Sequence, residues 1–182
     1  MKTIAKICFC ILLLSMAAKA EIEKTALPCD KGLCLYWWPK LPPLKGWHQD
    51  INQSYHYGIN ALAPDGSSFT KAEAVIYAKA SYKPRIPDTK TLEMFIADDR
   101  KEFVDSVPDI TIKEVNELIS GDGEKFRSFT FFPKEKGNWE QVAYGEEGEY
   151  YLAFTLSSHS KEAFDRTQSA YRDLIAHYKV KF

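Results

Sequence analysis

His48, His56, His159 and His177 are the four imidazoles of this 182-residue chain, and imidazole is the side chain first suited to acid–base or metal chemistry near neutral pH. None of them sits in a ligand spacing such as H-E-x-x-H. His48 and His56 lie eight residues apart across a predicted turn and are expected on neighbouring strands. Two imidazoles alone do not complete a metal site. Ser157-Ser158-His159-Ser160 sets hydroxyls beside an imidazole at a strand-to-helix junction. A nucleophile elbow there would need G-x-S-x-G, which is absent, and helix capping accounts for these serines more simply. Gly66-Ser67-Ser68 follows a strand but lacks the glycine pattern of a phosphate loop. Asp122 and Glu124 fall short of the ligand count of a calcium loop. Asp98 and Asp99 are adjacent, and helix neighbours at i and i+1 point apart, so the pair is expected on a solvated face. No catalytic residue, metal ligand or cofactor is assigned.

Two further groups carry meaning through position. Cys29 and Cys34 enclose a short loop with Gly32 inside it, and they are expected to form one disulfide. Chain entropy assigns such a loop about 2 kcal/mol. The spacing is C-x4-C, not the C-x-x-C of thiol oxidoreductases. The segment from Tyr36 to Trp47 holds three tryptophans, three prolines and one glycine. The prolines exclude a regular helix or a central strand. Most tryptophan area is buried in folded domains, so covering a core edge is the ordinary role. If the chain contacts a partner through this segment, Trp37, Trp38 and Trp47 with His48 form the candidate surface.

The compartment is read from the first twenty residues. Lys2 and Lys6 form a basic start, Ile7 to Met16 an apolar core, and Ala18-Lys19-Ala20 a small-residue cleavage site. This is the pattern of a secretory signal peptide, with cleavage expected between Ala20 and Glu21. The apolar run of about ten residues is too short for a membrane span, which needs about 20. Cys8 and Cys10 would leave with the peptide, and Cys29 and Cys34 remain for an oxidising compartment. The mature chain would be 162 residues, enough for one core. Losing Lys2, Lys6 and Lys19 takes the net charge from −1 to −4. That balance, with no concentrated basic face, excludes nucleic acid as a partner.

The elements that would position these residues follow from periodicity. Residues 1–20 are the signal peptide, 21–41 an irregular arm pinned by the disulfide, and 42–182 a single domain. Strands are expected over Tyr55 to Ala63, Ala74 to Tyr82, Thr111 to Ile119, Phe126 to Phe132, Trp139 to Tyr144 and Tyr150 to Ser157. Thr91 to Val107 reads as an amphipathic helix with Leu92, Phe95, Ile96, Phe103 and Val104 on one stripe. A closing helix runs from Lys161 to about Tyr178, capped by Ser160. Strands joined by short turns are antiparallel. The fold class is α+β, an antiparallel sheet flanked by helices in an α/β/α sandwich.

The runs Lys125 to Phe132, Trp139 to Tyr144 and Tyr151 to Ser157, followed by the closing helix, resemble the PsbP/Mog-like fold. Extrinsic photosystem subunits and DcrB-like periplasmic proteins belong to it. Pro43-x-x-Gly46-Trp47 also resembles its proline–tryptophan lead-in. The resemblance covers about residues 42–180. It implies an antiparallel sheet between helices and mostly non-enzymatic binding or assembly roles, with no shared active site. The Cys29–Cys34 loop and the Trp37-Trp38 pair depart from it.

The expected function is an exported, soluble binding or assembly protein of the bacterial envelope, without catalysis or cofactor. Its partner would be a protein or small ligand of the envelope. The alternative is a small exported hydrolase with a His-centred site around His48, His56 or His159. Fractionation of cells with and without a signal-peptidase inhibitor checks the address. The expected product is extracytoplasmic and begins at Glu21, and a full-length cytoplasmic product would contradict it.

Overall fold

Side chains that alternate between the two sides of each strand between residues 74 and 158 build a sheet whose two faces differ in chemistry. The computed structural model describes residues 22–29 and 32–180. The elements, in order, are β1 (Ile22–Cys29), β2 (Gly32–Pro39), β3 (Trp47–Gln49), α1 (Ile51–Tyr57), β4 (Asn60–Pro64) and β5 (Ala74–Tyr82). Then come α2 (Leu92–Ser106), β6 (Thr111–Ile119), β7 (Lys125–Phe132), β8 (Trp139–Glu147), β9 (Tyr150–Ser158) and α3 (Lys161–His177). Among the described residues β1 and β2 form a two-stranded hairpin, and the other strands form one antiparallel sheet in the order β3-β4-β5-β9-β8-β7-β6. The fold is α+β with helices on both sheet faces, as the periodicity predicts.

One face is apolar and closed by α3. Ile76 and Ala78 on β5, Leu152, Phe154 and Leu156 on β9 and Phe126 on β7 meet Phe164, Tyr171, Leu174 and Ile175 of that helix. Burying a side chain such as Leu156 contributes about 1.5–3 kcal/mol. Ser160 caps α3, accepting a hydrogen bond from the Ala163 amide at 3.2 Å. The Tyr171 hydroxyl donates to the Phe154 carbonyl at 2.8 Å, so the phenol enters the core without an unpaired proton. Gly145 sits on this face of β8, where a Cβ would lie 2.5 Å from the Phe126 ring. That ring is held edge-on by Phe154 and Tyr178.

The opposite face is covered over part of its width by α2. Phe95 and Ile96 pack on Phe129, Phe131, Val142, Tyr144 and Tyr151, and Phe103 stacks on Phe131 at 4.0 Å. Val104, expected on the buried stripe, is 42% exposed. Asp99, expected in solvent, is buried instead. The helical repeat places position 99 a turn after Phe95 and Ile96, on the inward side.

Two other expectations change. Tyr55 to Ala63 is not one strand: α1 ends at Tyr57 and β4 starts at Asn60. The Asp50 carboxylate caps α1 by accepting from the Gln53 amide (3.2 Å), and Gly58 ends it at φ 67°. The arm 21–41 is not irregular. It is the β1–β2 hairpin, with Cys29 and Cys34 disulfide-bonded next to its turn, their Cα atoms 5.8 Å apart. Ile22 and Trp37 of the hairpin join the core beneath α3. Among the described residues no helix is long and apolar enough to cross a membrane.

Gly145→Ala is expected to cost about 1–3 kcal/mol through the forced shift of the Phe126 ring. A urea denaturation midpoint checks it. An unchanged midpoint would mean that the ring is free to move.

Candidate functional site

The helix-α2 face of the sheet continues past the helix, and there it turns polar. Three neighbouring rungs cross β5, β9 and β8. They are Val75–Ser157–Glu140, Tyr77–Thr155–Val142 and Lys79–Ala153–Tyr144. Strand register alone therefore gathers Glu140, Ser157, Tyr77, Thr155 and Lys79 on one surface. Two neighbouring cavities of about 440 and 480 Å³ open over it and share Tyr77, Asn138 and Glu140. The first runs along α2 past Asp99 and Phe103. The second lies under Tyr57 and Phe69, from the end of α1 and the loop that follows β4.

Two acids meet burial differently. Asp99 receives the Lys79 ammonium at 3.2 Å and the Tyr144 hydroxyl at 2.6 Å, so both of its oxygens have donors and its charge has a counter-ion. Glu140, 7% exposed, takes the Ser157 hydroxyl at 2.5 Å and forms no ion pair among the described residues. Burial pushes the Glu140 carboxyl above the usual carboxylate range. Its bonds with Ser157 and Asn138 oppose that rise, and the Asp99 charge adds to it. Burial likewise raises the Tyr77 phenol, helped by the nearby Glu140 charge.

A chain of hydrogen-bonded side chains leads outward from Glu140. Asn138 Nδ2 donates to Ser157 Oγ at 3.0 Å, and Asn138 Oδ1 meets His159 Nδ1 at 3.0 Å. The Ser157 hydroxyl has one proton, and it is directed at the carboxylate. His159 touches Asn138, not serine, so the imidazole does not stand beside the Ser157 hydroxyl. The cleft is a floor with a fixed acceptor, an amide arm and aromatic walls.

The histidines of the alternative reading are scattered. His48 lies on β3 with Nδ1 3.5 Å from Asp65, while His56 is on α1 with its ring against Tyr57, so the two are not on neighbouring strands. His177 ends α3 and bonds the Asp173 carbonyl. Only His159 reaches the cleft among the described histidines. The candidate tryptophan surface is divided. Trp38 is 1% exposed with its indole N–H on Glu23 at 2.9 Å, so it presents no surface. Trp37 is half-buried between Tyr82 and the Arg85 guanidinium, and Trp47 packs partly into the core. His48 is exposed beside them in sequence only. Ala20 and Glu21 lie outside the described residues. Those residues contain no group of three or more His, Cys, Asp or Glu side chains arranged to hold a metal.

Comparison of the chain with protein-family models and with curated proteins found no match.

The raised carboxyl of Glu140 makes a signed prediction. A buried acid of this kind favours folding while protonated, and that contribution is lost as pH rises from the ordinary glutamate value through the raised one. Glu147, raised by burial as well, acts in the same sense, so only a difference between variants isolates Glu140. Glu140→Gln keeps an acceptor for Ser157 and removes the charge. It is expected to raise Tm at pH 8, by about 2–4 °C per kcal/mol, and to leave Tm at pH 4 near that of the parent. A Tm that falls at pH 8 would show that the carboxylate stabilises the fold.

Proposed function

We propose that this chain is an exported binding protein of the bacterial envelope, without catalysis, and that it holds a small ligand in the cleft beside α2. The observation that carries the reading is Glu140. A buried carboxylate without a counter-ion lies on the floor of an open, aromatic-walled cavity, and the cavity's histidine is turned to Asn138 and not to Ser157. Structural residues rarely leave such a group uncompensated, and clefts of a few hundred Å³ with a few placed polar groups are the common form of a ligand site. The signal-like N-terminus and the Cys29–Cys34 disulfide support an extracytoplasmic address. Resemblance to the PsbP/Mog-like fold supports a binding or assembly role over an enzymatic one.

The hydrolase reading has two observations in its favour, the opening of His159 onto the cleft and the Ser157 hydroxyl held on the Glu140 carboxylate at 2.5 Å. Ester hydrolysis separates the two readings. The purified protein is expected to leave p-nitrophenyl acetate at its uncatalysed rate, with His159→Ala indistinguishable from the parent. In parallel, native mass spectrometry of protein isolated from its own envelope should show a small-molecule adduct. Thr70→Trp, which places an indole at the exposed rim of the second cavity, should abolish that adduct. Turnover that disappears in His159→Ala, with no adduct on the parent, would favour the hydrolase.

A further inference from the structure

The second cavity has a chemistry of its own. Its acids are Glu73 and Glu140. Glu73 is neutralised from outside by Arg166 at 2.8 Å. Asp99, in the neighbouring cavity, is neutralised by Lys79 at 3.2 Å. Glu140 is left with neutral donors, Ser157 and Asn138. The remaining titratable groups lining the cavity are Tyr57, Tyr77, whose phenol bonds Thr155, and His159, which is turned to Asn138. The cavity thus presents one carboxyl group that, when ionised, has no counter-charge within the cavity.

The same cavity is lined by a row of rings. Tyr57 and Phe69 lie 5.9 Å apart at 47°, and Phe69 and Tyr77 lie 6.0 Å apart at 73°. The rings are turned against one another, so they form walls rather than one flat stack. Their π faces are electron-rich and attract a cation, most strongly where water is excluded. An anion in this space would be repelled by Glu140. A neutral apolar molecule would strip water from Glu140 and return no charge to it.

We propose that the cavity under Tyr57, Phe69 and Tyr77 is a site for a small organic cation, whose ammonium group lies among the three rings and faces the Glu140 carboxylate. This inference rests on the binding reading of the cleft and names its ligand class. The volume of about 480 Å³ accommodates a trimethylammonium or alkylammonium head with a short tail. Glu140 supplies the counter-charge, Ser157 and Asn138 hold that carboxylate in place, and the aromatic walls replace the water that the cation loses.

Three probes of nearly equal shape test it: choline, the uncharged isostere 3,3-dimethylbutan-1-ol and the anion 3,3-dimethylbutanoate. Each is titrated into the full protein while cleft amide resonances are followed. Choline is expected to bind at least about tenfold more tightly than the alcohol, a step of about 1.4 kcal/mol, and the anion not at all. Glu140→Gln should remove the preference for choline over the alcohol without loss of folding. Tyr77→Phe, which keeps the ring, should retain choline, and Tyr77→Leu should lose it. Equal binding of choline and alcohol, or tighter binding of the anion, overturns the cation assignment and leaves the cleft as a ligand site. No response to any probe overturns the cation site as well. The envelope adduct then decides the binding reading separately.

Discussion

Nine consecutive residue pairs, from Ala74↔Ser158 to Tyr82↔Tyr150, join β5 to β9, and the chemistry of both sheet faces follows from that register. Side chains alternate along a strand, so a slip by one residue would exchange every partner between faces. If β5 slipped, Ile76 would then meet the cleft, and Tyr77 would be driven under α3. The apolar face makes such a slip very costly, because Phe154, Leu156 and Ile76 are wholly buried against α3. The polar face is therefore held in place by the packing of the other one. Glu140 and Ser157, partners across β8 and β9, need no interaction of their own to stay aligned.

The same face shows two ways of keeping an acid inside a protein. Asp99 is compensated within the chain by a cation and a phenol. Glu140 is compensated by hydrogen bonds but not by charge. The second arrangement costs stability, and folds commonly tolerate such costs at places where something must be recognised. α2 draws the line between them. The helix covers Phe129, Val142 and Tyr151 and stops short of the rung that carries Glu140.

Much of the fold is legible in the order of residues, because period-two strands and the amphipathic stripe of α3 are local signals. α1 escapes because it is only seven residues long and its Tyr55-His56-Tyr57 run imitates a strand. Its markers, Asp50 before it and Gly58 after it, are nevertheless in the sequence. The β1–β2 hairpin is hidden by Pro28 and Pro39, which sit at strand ends and read as breaks. The site is far less legible. Glu140 occupies a position where alternation allows any polar residue, and only tertiary neighbours distant in sequence, such as Tyr77 and Ser157, make it a buried one. Asp99 looks solvated beside Asp98, although the inward turn marked by Phe95 and Ile96 could have placed it correctly. Trp38 illustrates the converse, since an aromatic that suggests a contact surface is spent on the hairpin's own packing.

The strand order carries a consequence for how this chain must be made. β9 lies between β5 and β8, and neither of those strands pairs with the other. Until residues 150–158 have arrived, the sheet exists only as two unjoined pieces, β3-β4-β5 and β6-β7-β8. Each can form early from short-range contacts, but the join waits for β9, which follows both pieces in the chain. Ala74 must find a partner 84 positions downstream, a separation of the kind that slows folding. A chain emerging from its N-terminus thus keeps these two pieces apart until β9 has been made. β9 is the keystone, and it is laid after both of the pieces it joins.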